Sequence, residues 1–143
     1  MKRIGIGAGT LVAVLAVAAV AMAASRSYTG NVDPGGTVGF TAKTHHHRAT
    51  WVMNFVFKDV PATCDVGPAQ ADISANPLPP MHVNARHRFH AAYQISGTDQ
   101  TARVRGVFRH RGRRARGRLR LTGTFGSATN CDTGVRRWRA RRS

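Results

Sequence analysis

Glutamate is absent from this sequence, lysine occurs three times, and the only acids are six aspartates. So few carboxylates leave no close acid pair of the kind glycoside hydrolysis requires. A Gly-x-Ser-x-Gly elbow and a His-Glu-x-x-His helix are also missing, which removes the esterase-like and zincin-like readings. No catalytic residue is assigned, and the chain reads as a non-enzyme. Beyond the N-terminal segment there is no sustained 3.6-residue periodicity, which excludes a helical architecture. Cysteine is scarce as well: Cys64 and Cys131 are the only two.

What the chain does have begins at its N-terminus. Lys2 and Arg3 precede an uncharged apolar run from about Ile4 to Val20, followed by Ala21-Met22-Ala23-Ala24. A basic start, an apolar middle and small residues at −3 and −1 are the layout of a secretory signal peptide, with cleavage after Ala23. The alternative is an uncleaved anchor, because the uncharged span Ile4 to Ala24 approaches the ~20 residues that cross a bilayer. Gly5, Gly7 and Gly9 are not read as a nucleotide fingerprint, since a targeting segment supplies no strand–turn–helix context. Export predicts a secreted or cell-envelope protein. It also predicts that Cys64 and Cys131 form a structural disulfide, the single pairing available in an oxidising compartment. Closing so long a loop contributes about 4 kcal/mol on chain-entropy arguments. A two-thiol metal site is the other possibility, but neither cysteine has a closely spaced cysteine or histidine partner.

The basic residues are 19 arginines against three lysines, giving a net charge of +16 that falls to +14 when Lys2 and Arg3 leave with residues 1–23. Such a chain would ordinarily read as a nucleic-acid binder, and export redirects that reading toward polyanions outside the cytoplasm. Arginine, alanine and glycine share GC-rich codons, so nucleotide composition accounts for part of the excess.

The mature length suits one domain. Residues 24–36 read as an N-terminal linker ending in the turn Asp33-Pro34-Gly35-Gly36, and residues 37–143 as a β-domain with an Arg-rich tail. Short runs of period-2 alternation, separated by Gly, Pro, Asp and Asn, predict strands at 37–43, 49–57, 87–96, 102–109, 115–125 and about 134–140. In the second, Trp51, Met53, Phe55 and Phe57 share a face and Val52 and Val56 the other, which predicts a central strand covered on both sides. Residues 59–81 carry five prolines and read as a long loop tied down at Cys64, with a short strand around Ala71 to Ser74. Seven or eight short strands at this spacing make a β-sandwich or barrel, of which a single antiparallel β-sandwich is the expectation.

Several segments carry a family likeness: Asn54-Phe55 leading to Val60-Pro61 and Cys64-Asp65-Val66-Gly67, Arg88-Phe89, and Val104-Arg105-Gly106-Val107-Phe108. The nearest match runs from Gly117-Arg118-Leu119 through Gly123-Thr124-Phe125 to Cys131-Asp132-Thr133-Gly134 and Trp138-Arg139-Ala140. Together they resemble a recurrent secreted bacterial β-sandwich domain of unknown function, with two cysteines and a terminal Cys-x-Thr-Gly-x-x-x-Trp segment. The resemblance covers most of residues 37–140, with 66–85 poorly matched. It implies a fold and a disulfide, and no activity.

Nine arginines fall between Arg103 and Arg120. On two neighbouring strands, Arg103, Arg105 and Arg109 would share a surface with Arg116, Arg118 and Arg120. Guanidinium forks bind phosphate and carboxylate two bonds at a time, so this face is a candidate dock for cell-envelope phosphate polymers, anionic headgroups or extracellular nucleic acid. The competing account is a solvated face where codon bias has placed arginine. Phe108 and Phe125 point to the apolar side, which argues against base stacking and sequence-specific nucleic-acid recognition. Arg136, Arg137, Arg139, Arg141 and Arg142 form a second basic cluster. A cationic membrane-active protein is a further alternative, but it calls for exposed apolar residues beside the arginines. Seven histidines (His45, His46, His47, His82, His87, His90 and His110) suggest a metalloprotein; the shortage of carboxylates for an outer shell favours surface histidines and no metal or other cofactor.

Overall fold

Alternating apolar residues build an all-β molecule. A computed structural model describes residues 24–143; the expected signal peptide and cleavage after Ala23 lie outside the described residues. The strands are β1 (Ala24–Asp33), β2 (Thr37–His45), β3 (Arg48–Lys58), β4 (Val60–Cys64), β5 (Gly67–Ala71), β6 (Met81–His82), β7 (Arg88–Gln94), β8 (Thr101–Arg109), β9 (Arg114–Phe125), β10 (Ala128–Asp132) and β11 (Arg136–Arg142). Every pairing is antiparallel.

The hydrogen-bonded order is β7-β8-β9-β11-β1-β2-β3-β6, and a branch β10-β4-β5 leaves the far end of β9. The two ends of the main order, β6 and β7, follow one another in sequence and meet at a turn where Asn84 N–H donates to Arg88 O at 2.9 Å. The sheet therefore rolls over on itself. The Phe40 ring of β2 lies 6.2 Å from Phe89 on β7, with four strands between them in the hydrogen-bonded order, and edge-on at 5.8 Å to Trp138 on β11. Phe55 of β3 meets Trp138 at 5.6 Å. Two layers thus enclose one core in the manner of a β-sandwich, with Trp138 at its centre. Burying such aromatics contributes more than any other residue class.

Eleven strands replace the seven or eight expected, and each addition has a physical reason. Residues 24–33 are not a linker but β1, paired on both sides between β11 and β2. Its buried residues Tyr28 and Val32 are interrupted by Gly30, so the alternation is thin. Gly30 is required there, because a β-carbon would overlap the Arg139 carbonyl oxygen across the pairing. Residues 60–71 are not loop either. They form the β4–β5 hairpin, whose Pro68 lies on an edge strand where no donor is needed. The strand placed at Ala71–Ser74 is the end of that hairpin and the turn beyond it, where Asp72 Oδ1 accepts from Ser74 N–H at 2.7 Å.

β3 is not central. Beyond β2 it meets no second full strand: its other edge is covered by the two residues of β6, an isolated bridge from Phe55 to Leu78 and the Ile73 N–H on Phe57 O. Trp51 is 41% exposed while Val52 is fully buried. The pairing with β2 shifts between Gly39 and Thr41, opposite Val56 and Met53, and Asn54 there has a φ of 52°. A one-residue bulge reverses which side each preceding side chain faces, turning Trp51 outward.

Cys64 and Cys131 are disulfide-bonded, 67 residues apart in sequence, joining β4 to β10. Disulfides of this kind persist in oxidising compartments. Among the described residues no helix is long and apolar enough to cross a membrane.

Candidate functional site

The β8–β9 hairpin places its arginines by strict register. Arg103 pairs with Arg120, Arg105 with Arg118, Val107 with Arg116, and Arg109 with Arg114. Directly paired residues point to the same side of a sheet, so Arg103, Arg105, Arg109, Arg116, Arg118 and Arg120 share one solvent-exposed face. Their inward neighbours Ala102, Val104, Phe108, Ala115, Leu119 and Leu121 are buried.

The terminal cluster, read from sequence as separate, belongs to this face. β11 runs along the other edge of β9, where Arg137 pairs with Arg118, Arg139 with Arg116, and Arg141 with Arg114. Three strands therefore carry rows of guanidiniums: Arg105, Arg118 and Arg137 in one, Arg116 and Arg139 in the next, and Arg109, Arg114 and Arg141 in a third. The missed signal lay in Arg137-Trp138-Arg139-Ala140-Arg141, an in–out alternation directly after the Thr133-Gly134 break.

That break holds the register. Thr133 is buried; its N–H donates to Leu121 O at 3.0 Å and its hydroxyl accepts from Leu121 N–H at 2.9 Å. Asp132 Oδ1 accepts from Arg120 Nε at 3.0 Å and from Gly134 N–H at 2.7 Å. The Cys131-Asp132-Thr133-Gly134 segment is thus the clip that lets β10 and β11 follow β9 as one interrupted strand. At the opposite end, the Tyr28 hydroxyl reaches from the core to donate to Gly112 O in the β8–β9 turn.

Two adjoining depressions lie on the face. The first is bounded by Arg88, His90, Arg105, Arg116, Arg118, Arg137 and Arg139 over the backbone of Gly106 and Gly117, with Phe89 and Trp138 beneath. Gly106 and Gly117 are paired across β8 and β9. The second is lined by Thr29, Asn31 and Asp33 of β1 and by Arg109, Arg114, Arg116, Arg139 and Arg141. Arg116 and Arg139 are common to both.

Acidic residues are sparse around these rows. Asp65, Asp99 and Asp132 lie toward the end where β9 finishes, and Asp33, the last residue of β1, closes the Arg105–Arg118–Arg137 row through its pairing with Arg137. His45, His46, His47 and His110 lie at the opposite end, in and beside the β2–β3 and β8–β9 turns, while His90 shares the Arg105–Arg118 row from β7. Among the described residues one side-chain ion pair forms, between Arg120 and Asp132. Of the six arginines singled out from sequence, Arg120 is therefore the one already engaged; the others face solvent without an acidic partner among the described residues.

Four of the six aspartates, Asp65, Asp72, Asp99 and Asp132, accept hydrogen bonds from neighbouring residues. The Thr124 backbone N–H (2.9 Å) and hydroxyl (2.8 Å) hold the Asp99 carboxyl below the ordinary carboxylate range. The Arg120 hydrogen bonds do the same for Asp132. A carboxylate whose folded pKa is depressed stabilises the fold above its unfolded value, near 3.9, and loses that contribution as pH falls through the folded pKa. The urea midpoint is accordingly expected to decline below about pH 4, with a shallower acid-side decline in Asp99→Asn. Identical acid limbs in the two proteins would contradict this role.

His46 and His47, with φ of 47° and 64°, form the tight turn between β2 and β3, and the His45 and His46 rings contact each other at 4.1 Å. His87 and His90 flank the start of β7. No group of three or more His, Cys, Asp or Glu positioned to hold a metal ion occurs among the described residues. Comparison with protein-family models, curated proteins and solved structures found no match to this chain.

Proposed function

We propose that this protein is an exported, non-catalytic β-sandwich module that binds polyanions through the arginine face of β8, β9 and β11. The observation that carries the reading is the three-strand array of exposed guanidiniums in register. Like charges directly opposite each other on a sheet are mildly destabilising, and no acidic residue offsets most of them. A polyanion laid on the face relieves that repulsion and gains charge-assisted bonds to fork-shaped donors. The first depression offers guanidiniums, an imidazole and backbone, with no carboxylate, hydroxyl or thiol among its lining residues, which favours binding over chemistry.

The Cys64–Cys131 disulfide and the N-terminal pattern together support secretion or residence in the cell envelope. Membrane insertion is the weaker reading, because Val104, Phe108, Leu119, Leu121 and Trp138 beneath the arginines are buried, and among the described residues they leave no apolar side beside the arginines to enter a bilayer. The two-cysteine family resemblance adds a fold and a disulfide to this proposal and no activity.

Salt titration of binding to heparin and to duplex DNA tests the reading. Log affinity is expected to fall linearly with log salt. The triple variant Arg105→Gln/Arg118→Gln/Arg137→Gln should lose about 100-fold in affinity and two to three units of slope. The same charge removed elsewhere, Lys43→Gln/Lys58→Gln/Arg86→Gln, should change affinity less than about threefold. Equal losses in both variants would reduce the face to net charge alone; binding that ignores salt would sink the proposal.

A further inference from the structure

We infer that the arginine face is built for one kind of polyanion: a linear, base-free phosphodiester chain with three carbons between successive phosphates, as in a glycerol phosphate polymer. This rests on the polyanion reading above and narrows it. The argument comes from the spacing of the two depressions. Where the two overlap, on the β9–β11 pair, the first lies over Gly117 and the second over Ala115, with Arg116 as the wall between them; the first extends toward β7 and the second toward β1, where Asp33 joins its rim. The same two-residue offset appears on β11, from Trp138 to Ala140, with Arg139 between.

A two-residue step along a strand crosses six backbone bonds and spans about 6.7 Å. A phosphodiester repeat with three carbons between phosphates also crosses six bonds, so when extended it repeats its charge at about the same distance. One phosphate over each depression then has a row of guanidiniums before it and behind it, and the Arg116–Arg139 row is shared by both. The bidentate geometry of arginine suits the non-bridging oxygens of each phosphate.

A chain lacking bases is indicated by what the face omits. The Phe and Trp rings near it, Phe89, Phe108 and Trp138, are all buried, so apart from the His90 and His110 imidazoles the face presents no ring for base stacking.

The experiment compares three probes matched in number of phosphates at one ionic strength: poly(glycerol phosphate), oligothymidylate and linear polyphosphate, whose charges repeat every two bonds. Poly(glycerol phosphate) is expected to bind about tenfold more tightly than polyphosphate and no more weakly than oligothymidylate. In Arg116→Gln/Arg139→Gln, which removes the shared row, its preference over polyphosphate should fall to within about threefold; Arg111→Gln/Arg113→Gln, at the turn tip, should retain it. If the wild type binds polyphosphate equally well, the spacing inference is overturned while the general polyanion reading stands. Oligothymidylate bound about tenfold more tightly than the base-free chain would overturn the inference in favour of nucleic acid. Binding of none of the three overturns both readings.

Discussion

Replacing Gly117 with alanine is expected to lower the unfolding free energy by about 3 kcal/mol, a drop in Tm on the order of 10 °C for a domain of this size. A β-carbon at this position would overlap the carbonyl oxygen of Arg105 on the neighbouring strand and stand 2.7 Å from Trp138 Cζ2. The first obstacle is backbone, so relief requires β8 and β9 to part in the middle of their longest ladder. The second is the largest buried side chain in the core, already in contact with Phe40, Phe55 and Phe89. Gly106→Ala meets only rings, those of Phe89 and Trp138, and should destabilise less because rings shift more readily than a strand. Gly35→Ala is the control, since its β-carbon would meet nothing nearer than Pro61 Cγ at 3.4 Å. A urea midpoint for Gly117→Ala no lower than that of Gly35→Ala would show that the pairing is looser than described.

Loss of the disulfide is expected to be as damaging, and to act unevenly. The 67-residue separation between Cys64 and Cys131 gives about 4 kcal/mol of stabilisation on chain-entropy arguments. The link lies where backbone pairing is weakest. β4 and β10 share one registered pair, Thr63 with Asp132, supplemented by Asp65 N–H to Thr129 O at 3.1 Å. Cys64→Ala/Cys131→Ala should therefore lower Tm by on the order of 15 °C. It should also raise amide exchange in Val60–Ala71 well before the β8–β9 ladder. Uniform loss of protection across the sheet would instead mean that the branch and the main sheet unfold as one unit.

Both experiments bear on the arginine face, because its geometry depends on the two features they remove. The glycine pair lets β8, β9 and β11 lie close over Trp138, and the Cys131–Gly134 segment sets where β11 joins β9. A face of loose arginines on a mobile hairpin would bind anions by charge alone. The same arginines in fixed rows can discriminate by spacing.

The strands that carry this face were legible in the sequence because their alternation is clean. From Ala102 to Gly106 and from Ala115 to Leu121, small or apolar residues and arginines take turns, and the inside and outside of the sheet follow directly. Where the alternation is broken, it misleads. Gly30 thins the signal of β1, the prolines of 59–81 hide the β4–β5 hairpin, and the bulge at Asn54 moves Trp51 to the surface. In each case the decisive contact lies across the sheet, out of reach of a local pattern.

The amino-acid sequence by itself determined that the chain is all-β, that its two cysteines have one possible pairing, and that six arginines of one hairpin share a side. Local alternation and composition suffice for those. Only the tertiary structure decided that β11 lies against β9, extending the face to three strands, and that His90 of β7 and Asp33 of β1 stand at the two ends of the Arg105–Arg118–Arg137 row. Strand pairing between distant segments is set by which apolar faces can close a common core. Trp138, packed against Phe40, Phe55 and Phe89, brings the terminal arginines into that register.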